Sequence, residues 1–494
     1  MGSFARGQKV NSDNQFSPAY KWYALFVLYL GYVVNFVDRQ ILSILLESIR
    51  QDLQFNDLQL GLLGGLAFAI FYATLGIPIA MLADRKNRVK ILSAAMVVWS
   101  IMTAVCGLAN NFITLLLARI GVGVGEAGAS PPSHSLISDY FPSSTRATAL
   151  SIYSLGIPVG SFIGTTVGGW GADELGWRNT FFLVGIPGVL VALLVLLTLR
   201  EPPRGMSDRE QQSPTQANTD NAQETSAPSW KTVSNFLWSK KSFRHLSIGA
   251  GLHAFVSYGA TNWNPSFLQR VFNMSATETG YWLGLVFFIG AIGTFLGGFL
   301  GDKLSDKTGD KRWYFWIPAI SLILMVPLQL GAYLAPTAML AIYILFPISI
   351  FSGMYLGPSF AMTQGLVTLR MRAVAAAILL FVLNIIGMGL GPTLVGWLSD
   401  LLMPYSGEES IRYALSISVA LNGWSAIHFL LGAKYLRQDL EDTERQNLER
   451  DQVSPVARWC WIFTKSAISK PLRALKNAKS LCLRKAAFRT GFPM

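Results

Sequence analysis

Twelve long apolar runs constrain this sequence more than any other feature. A helix needs about 20 mostly apolar residues to cross the hydrocarbon layer of a membrane. Runs of at least about that length occupy residues 22–46, 58–82, 89–109, 112–138, 146–171, 178–199, 245–272, 277–301, 313–334, 337–368, 373–402 and 412–434. Only 14% of the 494 residues are charged, against about 25% in soluble proteins, so lipid must solvate much of the surface. The sequence therefore predicts an all-α membrane protein with twelve transmembrane helices.

The positive charges of the loops predict the orientation of the chain. Lysine and arginine accumulate on the cytoplasmic side of membrane proteins. Loops after the even-numbered runs hold most of them, namely Arg85, Lys86, Arg88, Lys90, Arg146, Lys303, Lys307, Lys311, Arg312, Arg370 and Arg372. Loops after the odd-numbered runs hold little beyond Arg50, Arg178, Arg270 and Arg412. We therefore expect both termini in the cytoplasm.

The longest gap between runs divides the chain into two halves of six helices. Much of this gap lacks apolar periodicity, which is typical of a flexible linker. The predicted parts are an N-terminal cytoplasmic segment (1–21), a six-helix bundle (22–200), a cytoplasmic linker (201–243), a second six-helix bundle (244–434) and a basic cytoplasmic tail (435–494). The motif Ala80-x-x-x-Asp84-Arg85 recurs as Gly298-x-x-x-Asp302-Lys303 after the eighth run. Membrane proteins built from such repeats place a central cavity between the repeats, near the bilayer midplane.

Four charges lie inside apolar runs of the first half. Asp38 and Arg39 follow each other in the first run, and Arg119 and Glu126 lie seven residues apart in the fourth, on one helix face. Charges within the membrane are costly and usually mark a pathway or an internal pair. Two acids and two bases can nearly neutralise one another, and protonating one acid would change the pairing. Two other interpretations stay open: a fixed ion-pair network that does not titrate, and a pair at the outer end of the first span.

A second group of charges lies at the predicted cytoplasmic ends of the spans. These residues are Asp84, Arg85, Arg88, Asp139, Arg146, Asp302 and Lys303. An acid in such a position can meet the N-terminus of a neighbouring helix, while a base can pair with an acid of another loop. The group is therefore predicted to latch the cytoplasmic side in one conformational state. Ordinary loop charge that only sets topology is the alternative.

These residues carry a resemblance to a known family. Asp84-Arg85 with Arg88 and Lys90 resembles the signature of the major facilitator superfamily. Asn35-Phe-Val-Asp38-Arg39, Gly125-Glu126-Ala127 and Ile157-Pro158-Val-Gly160-Ser161 resemble motifs of its Spinster branch, and Asp139-Tyr-Phe141 with Arg146 extends that match. The superfamily pattern covers residues 20–435, whereas the branch motifs lie almost entirely in the first half. The short loops look bacterial, so the resemblance implies a protein of a bacterial inner membrane.

The resemblance implies a secondary transporter that works by alternating access and couples transport to protons. Asp38 would bind the proton, and Arg39, Arg119 and Glu126 would form the switching network. The substrate cavity is expected at Asn35, Arg39, Arg119, Glu126, His134, Tyr153, Asn262 and Asn384. A lipid-like or amphipathic anion is the leading substrate. A sugar acid, another organic anion or a drug is the alternative, and a non-transporting receptor on the same scaffold is the alternative from another class.

Composition and motifs disfavour other functions. The net charge of +12 does not indicate nucleic-acid binding, because the basic residues lie between apolar runs and in the tail. Neither HExxH nor GxSxG occurs, and the three cysteines, Cys106, Cys460 and Cys482, have no metal-ligand spacing. We therefore expect no enzyme, no cofactor and no metal, but a monomer whose partners are a small molecule, protons and the bilayer. The tail after Asp451 either lies on the anionic leaflet or stays a disordered soluble segment.

Overall fold

A computed structural model describes residues 16–209 and 229–450. Twelve helical runs follow one another in this part of the chain: α1 Pro18–Leu53, α2 Asp57–Ala83, α3 Arg88–Cys106, α4 Phe112–Tyr140, α5 Ser143–Glu174, α6 Gly176–Thr198, α7 Lys241–Phe272, α8 Ala276–Thr308, α9 Trp313–Tyr333, α10 Ala338–Gly365, α11 372–406 and α12 410–450. Nine of them are long and apolar enough to span a membrane, and α11 and α12 lie together in a tenth such stretch, Arg372–Arg445. The helix α7 is more polar because it carries residues such as His253, Asn262 and Arg270. The predicted twelve-helix membrane fold is confirmed.

Local sequence explains where several helices begin and end. The Asn56 side chain accepts a hydrogen bond from the amide of Gln59, and the Gln59 side chain accepts one from the amide of Asn56. This capping box starts α2. Asn111 and Thr114 start α4 in the same way. Gly309 ends α8 with φ of 68°, a backbone conformation that glycine adopts without a steric cost. These caps satisfy backbone groups that a helix end leaves unpaired.

Some helices are broken within the membrane. The helix α2 is interrupted at Gly65, and α4 is interrupted between Glu126 and Ser130, just before two prolines that cannot donate backbone hydrogen bonds. In α11, Leu383–Leu390 forms a π-helical stretch between two α-helical parts. Such stretches are rare and are frequent at functional sites.

The two halves touch mainly on one face of the molecule. We call the face where α1 begins and α12 ends the terminal face, and the opposite one the distal face. The hydrogen bonds and ion pairs that join the halves cluster near the distal face, between residues 44–66 or 169–173 of the first half and residues 269–277 or 393–408 of the second. The terminal parts of α4, α5, α10 and α11 pack against helices of their own half. The molecule is thus closed on the distal face and parted on the terminal face.

Glycine brings the halves into close contact on the distal side. A Cβ atom at Gly280 of α8 would lie 2.1 Å from the carbonyl oxygen of Thr165 in α5, and one at Gly169 would lie 2.2 Å from that of Ala276. Between α2 and α11, the Thr393 hydroxyl donates to the Gly61 carbonyl at 3.1 Å. Small residues allow this approach of helix backbones in lipid.

Several segment boundaries differ from the predicted ones. The predicted linker contains an amphipathic helix, Trp230–Ser239, which buries Val233 and Leu237 against the second half. The helix α12 continues to Arg450, past the predicted end at 434, because its polar continuation still has helical propensity. Most of the predicted N-terminal segment, the middle of the linker and the basic tail after Arg450 lie outside the described residues.

Candidate functional site

One ion pair links the charged positions of α1 and α4. The Nε atom of Arg39 donates to Oε2 of Glu126 at 2.5 Å, and the Glu126 side chain is fully buried. The Arg39 guanidinium also lies over three aromatic rings, at 4.6 Å from the Tyr72 centroid, 5.0 Å from Phe36 and 5.3 Å from Phe68. Aromatic faces stabilise a cation that has lost water. Arg39 is therefore held by a carboxylate and an aromatic cage at once.

The other two charges are buried without such a pair. Asp38 is 0% exposed and Arg119 is 2% exposed. Both carboxyl oxygens of Asp38, and Nε and Nη1 of Arg119, lack a hydrogen-bond partner among the described residues. Oε1 of Glu126 likewise lacks a hydrogen-bond partner among these residues. A buried polar atom without a partner costs about 1–3 kcal/mol, more if it is charged, so this arrangement favours a change in protonation or in pairing.

The structure therefore modifies the predicted four-charge network. Arg39 and Glu126 form a direct ion pair, while Asp38 and Arg119 attract each other electrostatically without a hydrogen bond. Neighbouring helix residues point about 100° apart. Asp38 consequently faces the interior of the first half, beside Trp99, whereas Arg39 faces the other half.

A cavity of about 100 Å³ lies between the halves below the distal closure. Its walls are Phe36, Arg39, Gln40, Ser43, Gly64, Phe68 and Arg119 from the first half, and Tyr258, Thr261, Asn262, Met388 and Pro392 from the second. Asn262 is 8% exposed, and its Nδ2 atom lacks a hydrogen-bond partner within the described residues. Two arginines and a free amide donor therefore face one cavity whose remaining walls are largely apolar and aromatic.

Four other residues predicted for the cavity have different surroundings. Asn35 is buried, with an amide nitrogen that lacks a partner in the described part of the chain. Tyr153 is also buried and stacks on Tyr32 at 4.2 Å between ring centroids, beside a small void of about 10 Å³ inside the first half. His134 is exposed, with its ring edge-on to Tyr153, and Asn384 is partly buried in the π-helical stretch. Tyr153 thus packs within its own bundle instead of lining the cavity between the halves.

The charges predicted to latch the terminal face make contacts within one half in the part of the chain that the structure describes. Arg88 is buried and pairs with Asp139, and its Nε atom donates to Glu201 at 2.6 Å, all within the first half and the start of the linker. Arg146 donates to the Ser207 hydroxyl at 3.1 Å.

The rest of this group lies on the surface of the terminal face. Asp84 and Arg85 are exposed. In the second half, Asp302 accepts a hydrogen bond from the Tyr314 hydroxyl at 2.5 Å, and Lys303 lies 5.4 Å from the Phe299 ring centroid. The group therefore organises each half separately while the terminal face is parted.

A charge cluster on the distal face was missed by the sequence analysis. Arg270 of α7 donates to both carboxyl oxygens of Asp57 in α2, at 2.7 and 2.8 Å, and also pairs with Glu47 of α1. Ser399 of α11 donates to Asp57 at 2.6 Å. The Asp400 carboxylate accepts the amides of Asp57 and Leu58, at 2.9 and 2.8 Å, at the N-terminus of α2.

We call these five residues, Glu47, Asp57, Arg270, Ser399 and Asp400, the distal latch. Its central residues Glu47, Asp57 and Arg270 are at least 91% buried. In the sequence, Arg270 is only one of four sparse positive charges near the loops of this face. The sequence pointed to this cluster only through opposite charges near the ends of α1, α2 and α7.

The fold and these charges define a membrane transporter. Residues 28–392 match the model of the Major Facilitator Superfamily, and the chain belongs to this family. It is 32% identical to an MFS-type efflux pump of Mycolicibacterium smegmatis over 86% of this chain and 96% of that protein.

The solved structures locate the chain within the superfamily. The structure of a bacterial homologue of the human lysosomal transporter Spinster, inward-facing and unoccupied, has a TM-score of 0.77 with 34% identity, covering 86% of this chain and 99% of that one. Spinster homolog 1 of Rattus norvegicus is 34% identical over 50% of this chain and 46% of its own length. The predicted resemblance to the superfamily and its Spinster-like branch is confirmed.

Proposed function

We propose that this protein carries an organic anion with an apolar part across the bacterial inner membrane and couples this movement to protons. The observation that carries the proposal is the pair of arginines at one cavity: among the described residues, Arg39 has a carboxylate partner and Arg119 has none. Arg119 keeps two nitrogens, Nε and Nη1, without a hydrogen-bond partner in the described part of the chain. An anion would satisfy them, while Phe36, Phe68 and Met388 contact its apolar part.

A lipid-like or amphipathic anion is the leading substrate. The cavity combines charged donors with aromatic walls, and the chain is similar in structure to a Spinster homologue. A sugar acid or another small organic anion is the second candidate. Relatives over about half of this chain include a hexuronate transporter of Bacillus subtilis and a cis,cis-muconate transport protein of Acinetobacter baylyi. Both candidates need the same cationic cavity, and they differ in the apolar length that it accepts.

The incomplete pairing of the four charges supports proton coupling. Protonation of Glu126 would remove the partner of Arg39 and free its guanidinium for the substrate anion. Protonation of Asp38 would remove a buried charge that has no hydrogen-bond partner among the described residues. The two protons would thus decide which arginine is available to the substrate anion. Protons that bind the two conformations with different affinity shift the equilibrium between them.

The orientation completes the proposal. The terminal face carries the positively charged loops, so it would be cytoplasmic, with both termini inside. The state described here would then be inward-facing, and the distal latch would close the periplasmic side. We also propose that the transporter acts as a monomer, since the two halves of one chain supply opposite walls of the cavity.

Binding and transport assays test these points separately. Purified protein would be titrated with lysophosphatidate, glucuronate and cis,cis-muconate, and with an uncharged lysolipid analogue as the control ligand. Arg119→Gln should abolish binding of the preferred anion, whereas Arg178→Gln, an exposed arginine of the same half, should not. In proteoliposomes, Asp38→Asn should retain binding but lose uptake driven by a pH gradient. Preference for the uncharged analogue, or unchanged gradient-driven uptake by Asp38→Asn, would contradict the proposal.

A further inference from the structure

Two of the four histidines of the chain meet at the surface of the second half. The Nδ1 atoms of His245 in α7 and His428 in α12 lie 3.0 Å apart, with ring centroids at 5.2 Å. The His245 ring stacks on Tyr435 at 5.8 Å, and the His428 ring lies 6.1 Å from Trp424. Both histidines are partly exposed. Aromatic neighbours thus hold the two rings, whose edges are partly exposed at the surface of the second half.

This contact leaves a nitrogen lone pair directed at a second nitrogen. In neutral imidazole one ring nitrogen donates and the other accepts. A contact between the two Nδ1 atoms therefore holds one proton, and a divalent metal ion can replace that proton with a bond to each ring. We propose that His245 and His428 form a binding site for a divalent transition metal, of which Ni²⁺ and Cu²⁺ fit the geometry best.

The separation of the nitrogens selects the metal. Metal–imidazole bonds are about 2.0–2.1 Å long. Two bonds of this length to nitrogens that lie 3.0 Å apart enclose an N–metal–N angle of about 91–97°. Adjacent ligands of square-planar Cu²⁺ or Ni²⁺ have this angle, whereas tetrahedral zinc requires a wider one. Small rotations of the rings would point both lone pairs at the ion, and water would fill the remaining positions.

Nearby positive charge makes binding depend on both rings. Lys241 lies 5.2 Å from the Tyr435 ring centroid, and Arg244 precedes His245 in the chain. These charges repel a cation, so one imidazole alone would bind poorly. When both bind, the ion connects α7 to α12 and stabilises the folded second half, as any ligand specific for the folded state does.

Nickel titration tests the site in the intact protein. The chain would carry a tag without histidine, be freed of metal with EDTA and be titrated with Ni²⁺ by calorimetry. We expect one ion per chain, and His245→Asn or His428→Asn should each weaken binding at least about tenfold because a chelate becomes a single ligand. The control His134→Asn, an exposed histidine of the other half, should leave the affinity unchanged. Absence of binding, or binding that survives both single variants, would overturn the proposal.

Copper spectroscopy on the unmutated pair covers the possibility that a histidine variant misfolds. Because thiols bind and reduce Cu²⁺, the spectrum would be recorded after replacing Cys106, Cys460 and Cys482 with serine. Electron paramagnetic resonance should show hyperfine coupling to two imidazole nitrogens. A spectrum with one nitrogen or none would refute the paired site.

Discussion

Removing Arg270 should open the distal face. In the closed state, Arg270→Gln loses two hydrogen bonds to Asp57, at 2.7 and 2.8 Å, and the pair with Glu47. The two buried carboxylates then keep only Arg50, which lies 3.0 Å from Glu47 and 4.0 Å from Asp57. Breaking a buried ion pair by removing one partner costs about 3–5 kcal/mol. In the open state the latch is already broken and water reaches these carboxylates. The substitution therefore raises the free energy of the closed state more than that of the open state. Because Arg50 still pairs with both carboxylates, the lower end of this range applies. The ratio of open to closed molecules should therefore rise by about 10²-fold, at 1.4 kcal/mol per factor of ten.

Spin-label distances across the distal face can measure this change. Labels would be placed at Asn110 and Thr337, which are exposed and lie on the distal loops of the two halves, in a variant without native cysteines. Pulsed dipolar spectroscopy should show a longer distance for Arg270→Gln than for the unmutated latch. Arg178→Gln is the matched control, because Arg178 forms an exposed pair with Asp52 on the same face and within one half. Such pairs contribute only about 0–1 kcal/mol.

A rescue variant separates opening of the latch from general damage. Adding Glu47→Gln and Asp57→Asn to Arg270→Gln removes the buried carboxylates together with their cation. This variant should regain much of the short distance, since no unpaired charge remains. An unchanged distance distribution in Arg270→Gln, or the same lengthening in Arg178→Gln, would refute the argument that the latch holds the distal face closed.

Three further predictions concern other parts of the molecule. Glu126→Gln removes the carboxylate partner of Arg39, so anion binding should depend less on pH and keep only the dependence due to Asp38; calorimetry at pH 5.5 and 7.5 measures this, and a pH dependence like that of wild type would contradict it. Gly280→Val places a side chain against the Thr165 carbonyl, so the distal face should not close, and the same spin-label distance should lengthen. In the α8–α9 loop, hydrogen bonds from Arg312 lower the pKa of Asp310, which also binds Arg437. A lowered carboxyl pKa stabilises the fold above the unfolded value of about 3.9, and this stabilisation is lost as the pH falls through the folded value. Asp310→Asn should therefore lower the melting temperature equally at pH 6 and pH 8, and a difference that vanishes at pH 6 would contradict this.

The helices could be predicted from the sequence because the bilayer sets a simple length requirement. Runs of apolar residues revealed all twelve, including α7, whose polar residues reduce its hydropathy. The positions of Asp38, Arg39, Arg119 and Glu126 inside the membrane followed from the same pattern. Their pairing did not, because adjacent residues of α1 point in different directions and only the packing of three helices decides which base each acid meets.

The distal latch shows what a single sequence does not contain. Arg270 is 223 residues from Glu47 and 213 from Asp57. Charges at helix ends are common, and nothing in their spacing tells which of them meet across the halves. Tyr153 illustrates a second limit. It lies between helices of its own bundle. The sequence did not predict this, because a helix that is apolar all round gives little pattern to show which side faces the cavity.

The π-helical stretch of α11 sets the rotational register of everything that follows it. Thr393, three residues beyond Leu390, donates to the Gly61 carbonyl only in the present register. If the stretch relaxed to an ordinary α-helix by releasing one residue, the part after it would turn by about 100° about its axis. Thr393, Ser399 and Asp400 would swing away from α2, and their contacts at the seam would disappear. Local rewinding of a single helix could thus loosen the seam without any movement of the bundles as a whole.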